Sequence, residues 1–375
     1  MTGTNKHILL LPSLFLFLVT SGLGCEKEES HKTENRRPYL EIDVTVHNQV
    51  DGVALAGTLT LPAVNGHYPA VLLIAGSGPH NRDEEILGHR PFFVLADYLT
   101  RRGMAVLRMD KRGCGGSEGT YVPFDIEGFV QDAQSGISFL KAHEQVDSAR
   151  IGVIGHSQGG LIAPMLASQS NDVAFIVLIA APGKWGPDFF RSQNIAMARA
   201  AGFGESEIER IRELYERLEP VWTKDTISSS EEQEGIRILE ELWRYVDADS
   251  RKILGNTDAA AFLSFMRLSN IRNFLQYDPA ITLQVVNCPV LAINGDKDVQ
   301  VPSLENLATI ENALQVGGNE QYEIVELPGL NHLLQKCRTG LVSEYPRISE
   351  CMSPVALEVI SNWLIVAGFV LASSD

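Results

Sequence analysis

The stretch that decides the fold is Ile151-Gly-Val-Ile-Gly-His-Ser-Gln-Gly-Gly-Leu161. Residues 151–154 form a short apolar run, as expected of a strand that is buried on both faces. Leu161 to Ala167 is apolar enough to begin a buried helix. Between them, residues 155–159 match the pattern G-x-S-x-G, in which glycines allow a sharp turn. The stretch therefore predicts a nucleophile elbow, which presents the hydroxyl of Ser157 above the edge of a sheet.

A second match to the same pattern, residues 115–119, shows that the pattern alone is weak. Its serine, Ser117, lies in a glycine-rich stretch with no helical pattern behind it. The strand before Ser157 and the helix after it distinguish the two sites, and they favour Ser157 as the nucleophile. The alternative interpretation of Ser157 is a structural serine in a tight turn.

Apolar runs on both sides of the elbow predict the rest of the sheet. Residues 40–46 and 53–61 alternate apolar and polar side chains around a turn, which predicts an antiparallel hairpin. Continuous apolar runs and helical patterns then alternate, which predicts parallel strands with right-handed crossovers. The predicted strands are Pro69–Ala75, Met104–Met109, Ile151–Ile154, Val173–Ala181, Val290–Ile293 and Tyr322–Leu327. The predicted helices are Pro91–Arg102, Ile126–His143, Leu161–Ala167, Leu304–Val316 and Pro354–Phe369.

The alternation is interrupted between Gly183 and about Pro279, where no strand pattern occurs. This stretch is too long for a loop and carries Leu, Ile, Glu and Arg at helical spacing. We interpret residues 183–279 as a helical cap inserted into a core formed by residues 39–182 and 280–375. Five aromatic residues of this stretch could line an acyl pocket or form the core of the cap: Trp185, Phe189, Phe190, Trp222 and Trp243.

A serine nucleophile needs a base, and the base needs an acid that fixes its tautomer. In a sheet with such an elbow, the acid and then the histidine follow the serine along the chain. Of nine histidines, only His332 follows Ser157, and it lies in a loop directly after a predicted strand. The loop after residues 290–293 offers two candidate acids, Asp296 and Asp298.

The oxyanion of a tetrahedral intermediate needs two preset hydrogen-bond donors. The residue after the nucleophile supplies one in this type of site, which predicts the main-chain N–H of Gln158. The second comes from the loop after the first parallel strand, where the sequence reads Gly76-Ser-Gly-Pro79. We predict the N–H of Ser77 as that donor. The alternative is a turn that only connects strand to helix.

Composition limits the classes of protein to consider. The 375 residues are 45% apolar and carry a net charge of −16, so the chain is globular and is not expected to bind nucleic acid. None of the five cysteines forms a CxxC pair or a Cys/His cluster with zinc spacing, and no metal site is predicted. Cys337 and Cys351 lie 14 residues apart, and they either form a disulfide or remain as two thiols.

The first 25 residues predict an export signal, because a short apolar run ends in small residues. Cys25 directly follows Gly24 and resembles the lipidated cysteine of a bacterial lipoprotein. The alternatives are an ordinary cleaved signal and a retained anchor helix. Residues 26–38 predict a flexible tether. We therefore expect an exported protein. It is either anchored to the bacterial cell envelope (the outer membrane, including its outer surface) through an N-terminal lipid, its only contact with a membrane, or free in the periplasm.

Five segments carry a resemblance to a known family: Ala75-Gly-Ser-Gly-Pro-His-Asn-Arg-Asp-Glu84, Met109-Asp-Lys-Arg-Gly-Cys-Gly-Gly-Ser117, Gly155–Gly160, Asn294–Pro302 and Pro328–His332. Over residues 40–370 the chain resembles the α/β-hydrolase fold. More narrowly, it resembles bacterial serine esterases and peptidase-like hydrolases with a GSGP–RDE loop and a GHSQGG elbow. The fold implied is a mostly parallel, doubly wound sheet with the N-terminal hairpin and the inserted cap.

The resemblance implies hydrolysis of small carboxylic esters, often with short acyl chains, and no cofactor. It selects Asp298 as the acid, because Gly-x-x-Asp-x-x-Val-Pro is the spacing of the family. Ala75 stands where many relatives have the histidine of an HGxG loop. Asp110 and Arg112 match a DxRGxGxS turn, which implies a role in bracing loops.

Two other functions remain open at the level of sequence. A peptidase or amidase would use the same triad, since specificity depends on the cap. A lipid-anchored binding protein could keep the fold without catalysis, although the complete set of Ser157, Asp298 and His332 argues against it. A dehalogenase is disfavoured, because the elbow carries serine rather than aspartate. The oligomeric state is not predicted.

Overall fold

The computed structural model describes residues 37–63, 65–245 and 258–370. Its centre is one sheet of eight strands in the order β1-β2-β4-β3-β5-β6-β7-β8. The strands are β1 (Leu40–Asn48), β2 (Val53–Leu61), β3 (Tyr68–Ile74), β4 (Ala105–Met109), β5 (Val146–His156), β6 (Phe175–Ile179), β7 (Val290–Gly295) and β8 (Tyr322–Leu327).

The sheet combines an antiparallel edge with a parallel centre. Strand β1 pairs with β2, and β2 with β4, in antiparallel register. Strands β3 to β8 pair only in parallel with one another. The central strands are buried on both faces, which explains their continuous apolar runs. The predicted α/β fold, with its N-terminal hairpin, is confirmed.

Helices cover both faces of the sheet. Helices α1 (Pro91–Thr100) and α11 (Pro354–Val366) pack on one face, through residues such as Leu95 and Ile360. Helices α2 (Ile126–Ala142), α3 (Gly159–Gln169) and α10 (Ser303–Val316) pack on the other, through residues such as Ile137, Ile162 and Ile310. A short 3-10 helix, Val342–Arg347, was not predicted.

The chain between β6 and β7 contains only helices in its described part. These are α4 (Gly186–Ala200), α5 (Glu205–Thr223), α6 (Ser229–Leu242), a 3-10 turn (Trp243–Tyr245), α7 (Ala259–Met266), α8 (Ser269–Leu275) and α9 (Pro279–Leu283). The apolar faces of α4 to α8 form a separate hydrophobic cluster, which also includes Val299 and Val301 from the loop after β7. Leu283 of α9 belongs instead to the cluster against the sheet. The helical segment therefore packs over the carboxyl ends of the parallel strands.

The predicted export signal and most of the tether lie outside the described residues, so the structure says nothing of Cys25. Among the residues that are described, no helix combines the length and apolarity needed to cross a membrane.

Candidate active site

Ser157 occupies a strained turn between β5 and α3. Its φ is +53°, in the left-handed region that non-glycine residues rarely adopt. The turn is tight, because a Cβ on Gly155 would lie 2.2 Å from the carbonyl oxygen of Gly159, and one on Gly159 would lie 2.0 Å from that of Ile74. Only glycine fits at both positions. The turn thus has the geometry of the predicted nucleophile elbow.

The loops after β7 and β8 bring a histidine and a carboxylate together. The Nδ1 of His332 lies 2.7 Å from Oδ2 of Asp298. The other carboxylate oxygen, Oδ1, accepts hydrogen bonds from the N–H groups of Gln300 (2.8 Å) and Val301 (2.9 Å). Asp298 is therefore fixed on both sides and orients the ring of His332, so that Nε2 is the free nitrogen. Asp296, the other candidate, accepts from the N–H of Gly329 instead.

Ser157 and His332 line one pocket of about 340 Å³. Ser157, His332 and Asp298 are each only 4% exposed, so the pocket holds them away from bulk water. The cap contributes Phe189 and Gln193 to the pocket wall. The core contributes the remaining lining residues: Gly76, Ser77, His80, Glu84, Ile86, His156, Gln300 and Val301.

The loop Gly76–Gly78 is held by surrounding groups at nearly every main-chain atom. The N–H of Gly76 donates to Glu84 (2.5 Å), and its carbonyl accepts from Lys111. The carbonyl of Ser77 lies 2.6 Å from Nε2 of His80. The N–H of Gly78 donates to the hydroxyl of Tyr121 (3.1 Å).

Two N–H groups beside the pocket remain unused. In the part of the chain that the structure describes, neither the N–H of Ser77 nor that of Gln158 donates a hydrogen bond to another protein group. These are the two donors that the sequence predicts for the oxyanion. Because the rest of the loop is held, the N–H of Ser77 is preset before any substrate enters.

A buried pair of charged residues next to Ser157 and His332 was not predicted from the sequence. Glu84 and His156 lie with Oε1 2.8 Å from Nδ1, and Nε2 of His156 lies 3.0 Å from the main-chain carbonyl of His332. Burial raises the pKa of Glu84, but the charge and hydrogen bond of His156, together with His80 and the N–H of Gly76, outweigh burial and lower the pKa. Burial lowers the pKa of His156, but the charge and hydrogen bond of Glu84, together with the carbonyl of His332 and the charge of Asp298, outweigh burial and raise the pKa. The two groups therefore form an ion pair.

The sequence did carry one signal for this pair. Both residues stand inside segments that carry the family resemblance, but no spacing rule links positions 84 and 156. The contact forms because the loop after β3 folds back over the end of β5.

The segment 110–117 has the bracing role that the resemblance implies. Asp110 accepts from the guanidinium of Arg82 and from the N–H of Gly116. Arg112 donates to Asp132 and Asp51. Ser117, the serine of the second G-x-S-x-G match, donates to the carbonyl of Asp110 and accepts from the N–H of Ala56. Ser117 is thus a structural residue.

The structure favours one of the two alternatives that the sequence left open for the cysteines, and likewise for the cap aromatics. Cys337 and Cys351 are free thiols in the structure and form no disulfide. Of the five cap aromatics, only Phe189 lines the pocket. Trp185, Phe190 and Trp222 are buried in the cap cluster and Trp243 packs against it, because large rings fill the space between the cap helices. Across the described ranges, no group of three or more His, Cys, Asp or Glu residues could hold a metal ion.

A family model described as the alpha/beta hydrolase family matches residues 71–343, which is most of the chain. The chain belongs to the alpha/beta hydrolase family. The match includes the elbow, both predicted oxyanion donors and the loops that carry Asp298 and His332.

Curated relatives of this hydrolase include the esterase EstD of Thermotoga maritima, which is 27% identical over 309 residues. The alignment covers 82% of this chain but only 65% of EstD, just under two thirds of that protein. An Escherichia coli protein described as an uncharacterized 31.7 kDa protein in the traX-finO intergenic region is 24% identical, and the alignment covers 75% of this chain and 89% of that one.

Solved structures agree with this fold. The Pyrococcus furiosus esterase Pf2001 superposes with a TM-score of 0.53 and 17% identity, over 91% of this chain and 98% of that one. Est1E from Butyrivibrio proteoclasticus, solved with ferulic acid bound, has a TM-score of 0.50 and 16% identity, over 86% of this chain and 98% of that one. At these identities the likeness concerns the fold alone.

Proposed function

We propose that this hydrolase cleaves small carboxylic esters through a Ser157–His332–Asp298 triad and an acyl-enzyme. The observation that carries the proposal is the shared pocket, where the strained Ser157 and the Asp298-oriented His332 face the same space. The esterase EstD, a relative at 27% identity, supports ester rather than other substrates.

The reaction has two balanced steps. His332 takes the proton of Ser157 as the serine oxygen bonds to the ester carbonyl carbon, and the carbonyl oxygen becomes an oxyanion. The N–H groups of Ser77 and Gln158 bind that oxyanion. The C–O bond to the alcohol breaks, and the alcohol leaves with the proton from His332. Water then repeats the sequence on the acyl-enzyme and releases the acid.

The pocket favours short acyl chains. Residues of the core and of the cap together line the space beside Ser157. Phe189 of the cap closes one side of the space around Ser157. A panel of acetyl to octanoyl esters, with acetylated sugars and feruloyl esters added, tests the substrate class; we expect the highest kcat/KM with acetyl to butyryl chains.

The Ser157→Ala variant tests the nucleophile. It removes the attacking oxygen, so turnover of a chromogenic acetyl ester and labelling by a fluorophosphonate probe should both disappear while circular dichroism stays unchanged. Ser117→Ala is the matched control and should keep the turnover of the wild type. Full turnover by Ser157→Ala would refute the assignment. A wild type that is faster on aminoacyl amides than on esters would indicate a peptidase, and one that the probe does not label would indicate a silent binding protein.

We also propose that Cys25 carries a covalent lipid that holds the enzyme on the bacterial envelope. The support comes from sequence only, namely the apolar run and the small residues before this cysteine. Cells given an alkyne fatty acid should produce labelled, membrane-bound protein, and Cys25→Ala should abolish both properties. Cys337→Ala is the control that should keep them, and label retained by Cys25→Ala would contradict the proposal.

A further inference from the structure

The peptide unit that joins Gly76 to Ser77 is engaged at one end and free at the other. Its carbonyl oxygen accepts a hydrogen bond from Nζ of Lys111. Its N–H belongs to Ser77, a residue that lines the pocket, and donates to no group within the described residues. The same peptide group therefore accepts a hydrogen bond from a cation at its carbonyl oxygen and carries the predicted oxyanion donor at its N–H.

A positive charge on a carbonyl oxygen strengthens the N–H at the other end of the peptide. The charge draws electron density toward the oxygen and makes the amide nitrogen more electron-poor, which is how linked hydrogen bonds reinforce one another. The effect grows where water is excluded, since fewer solvent dipoles screen the charge. An oxyanion hole depends on such preorganised donors.

The surroundings of Lys111 keep this charge directed at the loop. The ammonium lies 5.0 Å from the ring centre of Phe129 and 5.9 Å from that of Tyr121, so aromatic faces cover it. Glu84 and Cys114 are the charged or titratable groups that act on it most strongly. The other acids nearby are already paired, Asp110 with Arg82 and Asp132 with Arg112.

We propose that Lys111 is a positioning residue that polarises the Gly76–Ser77 peptide and so strengthens the Ser77 N–H as an oxyanion donor. This inference rests on the proposed ester hydrolysis. It assigns a catalytic contribution to a residue of the segment that otherwise only braces loops. The contribution appears only when an oxyanion forms, so it affects kcat and leaves KM nearly unchanged.

The ionisation of Lys111 makes the inference measurable in the unmodified enzyme. Burial lowers the pKa of Lys111 to about 8, although the charge of Glu84 partly opposes the shift. Below that pH the group is an ammonium, and above it a neutral amine that still donates to Gly76. Geometry is kept while charge is lost. We therefore expect kcat to fall as pH rises through about 8.

Neighbouring titratable groups define the controls for this pH profile. The pKa of His80 is lowered by burial to about 4, so its ring stays neutral throughout. Burial raises the pKa of Tyr121 well above the range tested. Glu84 and His156 remain an ion pair at neutral pH, and Cys114 is the remaining thiol on this side. The Cys114→Ala variant must keep the fall in kcat.

The test compares the wild type, Lys111→Met, Cys114→Ala and Lys141→Met between pH 6 and 10 on a chromogenic acetyl ester, with spontaneous hydrolysis subtracted. Lys111→Met should lower kcat about tenfold at pH 7, a fraction of the loss expected for a whole oxyanion donor. The kcat of Lys111→Met should not change with pH above pH 8. It should equal the constant kcat that the wild type reaches at the alkaline end of the range. Lys141→Met, which removes a surface charge paired with Asp172, should match the wild type.

A second readout does not depend on turnover. A methyl trifluoromethyl ketone forms a tetrahedral oxyanion on a serine nucleophile, and Lys111→Met should weaken its binding about tenfold at pH 7. A wild-type kcat that stays constant above pH 8, or an unchanged affinity for the ketone in Lys111→Met, would overturn the role of Lys111. If the wild type does not hydrolyse the ester at all, the proposed function itself has failed.

Discussion

His156 holds the main chain of His332 and a carboxylate at the same time. Its Nε2 lies 3.0 Å from the carbonyl oxygen of His332, and its Nδ1 lies 2.8 Å from Oε1 of Glu84. Both partners are acceptors, so both ring nitrogens must carry protons. His156, the residue before Ser157, is therefore an imidazolium that ties the loop of His332 to Glu84, whose carboxylate also accepts a hydrogen bond from the N–H of Gly76.

Glu84→Gln should lower kcat by about tenfold to a hundredfold and change KM little. A neutral amide does not stabilise the buried imidazolium, and a neutral ring has one N–H for two acceptors. The loss corresponds to one charge-assisted hydrogen bond that positions His332. Turnover should be measured per active site, titrated by the burst of a slow ester or by a fluorophosphonate probe, so that unfolded protein is not counted.

The control for this variant is Glu85→Gln, since the side chain of Glu85 is exposed and contacts Asn81 at the surface. It should match the wild type. Glu84→Gln could instead yield fewer active sites, each with the turnover of the wild type. That result would show that Glu84 serves folding alone.

Asp298→Asn should lower kcat by roughly 10⁴-fold, a loss of the size known for this change in serine-protease triads. The Oδ2 of Asp298 accepts from Nδ1 of His332, and its Oδ1 already accepts two main-chain N–H groups. An asparagine therefore turns its amide NH₂ toward His332 and selects the tautomer that lacks a free Nε2. Asp296→Asn is the matched control and should stay within about twofold of the wild type. A larger loss of kcat in Asp296→Asn than in Asp298→Asn would instead identify Asp296 as the acid.

Sequence patterns predicted the parts of this molecule that local rules govern. The elbow, the hairpin and the central strands follow from apolar runs and glycine spacing, and the order of Ser157, the acid and His332 follows from the sheet. Contacts between distant loops were not predictable. The Glu84–His156 pair and the bond from Lys111 to Gly76 join residues 72 and 35 positions apart, and no periodicity encodes them.

The free thiols and the cap aromatics show a second limit of the sequence. A separation of 14 residues permits a disulfide between Cys337 and Cys351, but bonding also depends on the path of the loops between them. Trp185, Phe189 and Phe190 have the same chemistry and lie close together in sequence. Only Phe189 lines the pocket, because the rotation of α4 decides which ring faces Ser157.

Gly155→Ala should destabilise the protein by about 3 kcal/mol, near the upper end for overpacking in a core. The added Cβ would lie 2.2 Å from the carbonyl oxygen of Gly159, and neither backbone segment can move without displacing the elbow. Urea unfolding followed by circular dichroism measures the change. Gly204→Ala is the control, because its Cβ would meet only Glu207 at 3.6 Å, and it should shift stability by less than about 1 kcal/mol.

Phe189→Ala should shift the preferred acyl chain from short to longer esters. The ring closes the cap side of the pocket that Ser157 and His332 line, and its removal leaves an apolar space into which a longer chain can extend. We expect kcat/KM to rise for hexanoyl and octanoyl esters relative to acetyl esters by about tenfold, which corresponds to the burial of about two methylenes at about 0.8 kcal/mol each. Competition between esters in one reaction mixture measures the ratio directly.

Phe190→Ala separates this effect from a general loosening of the cap. Phe190 is as buried as its neighbour, and the two rings are 5.5 Å apart, but Phe190 does not line the pocket. Both variants should lower the melting temperature by similar amounts, because each removes a ring from the cap cluster. Only Phe189→Ala should change the ratio between long and short esters. An equal shift in both variants would show that cap mobility, rather than the wall beside Ser157, sets the acyl length.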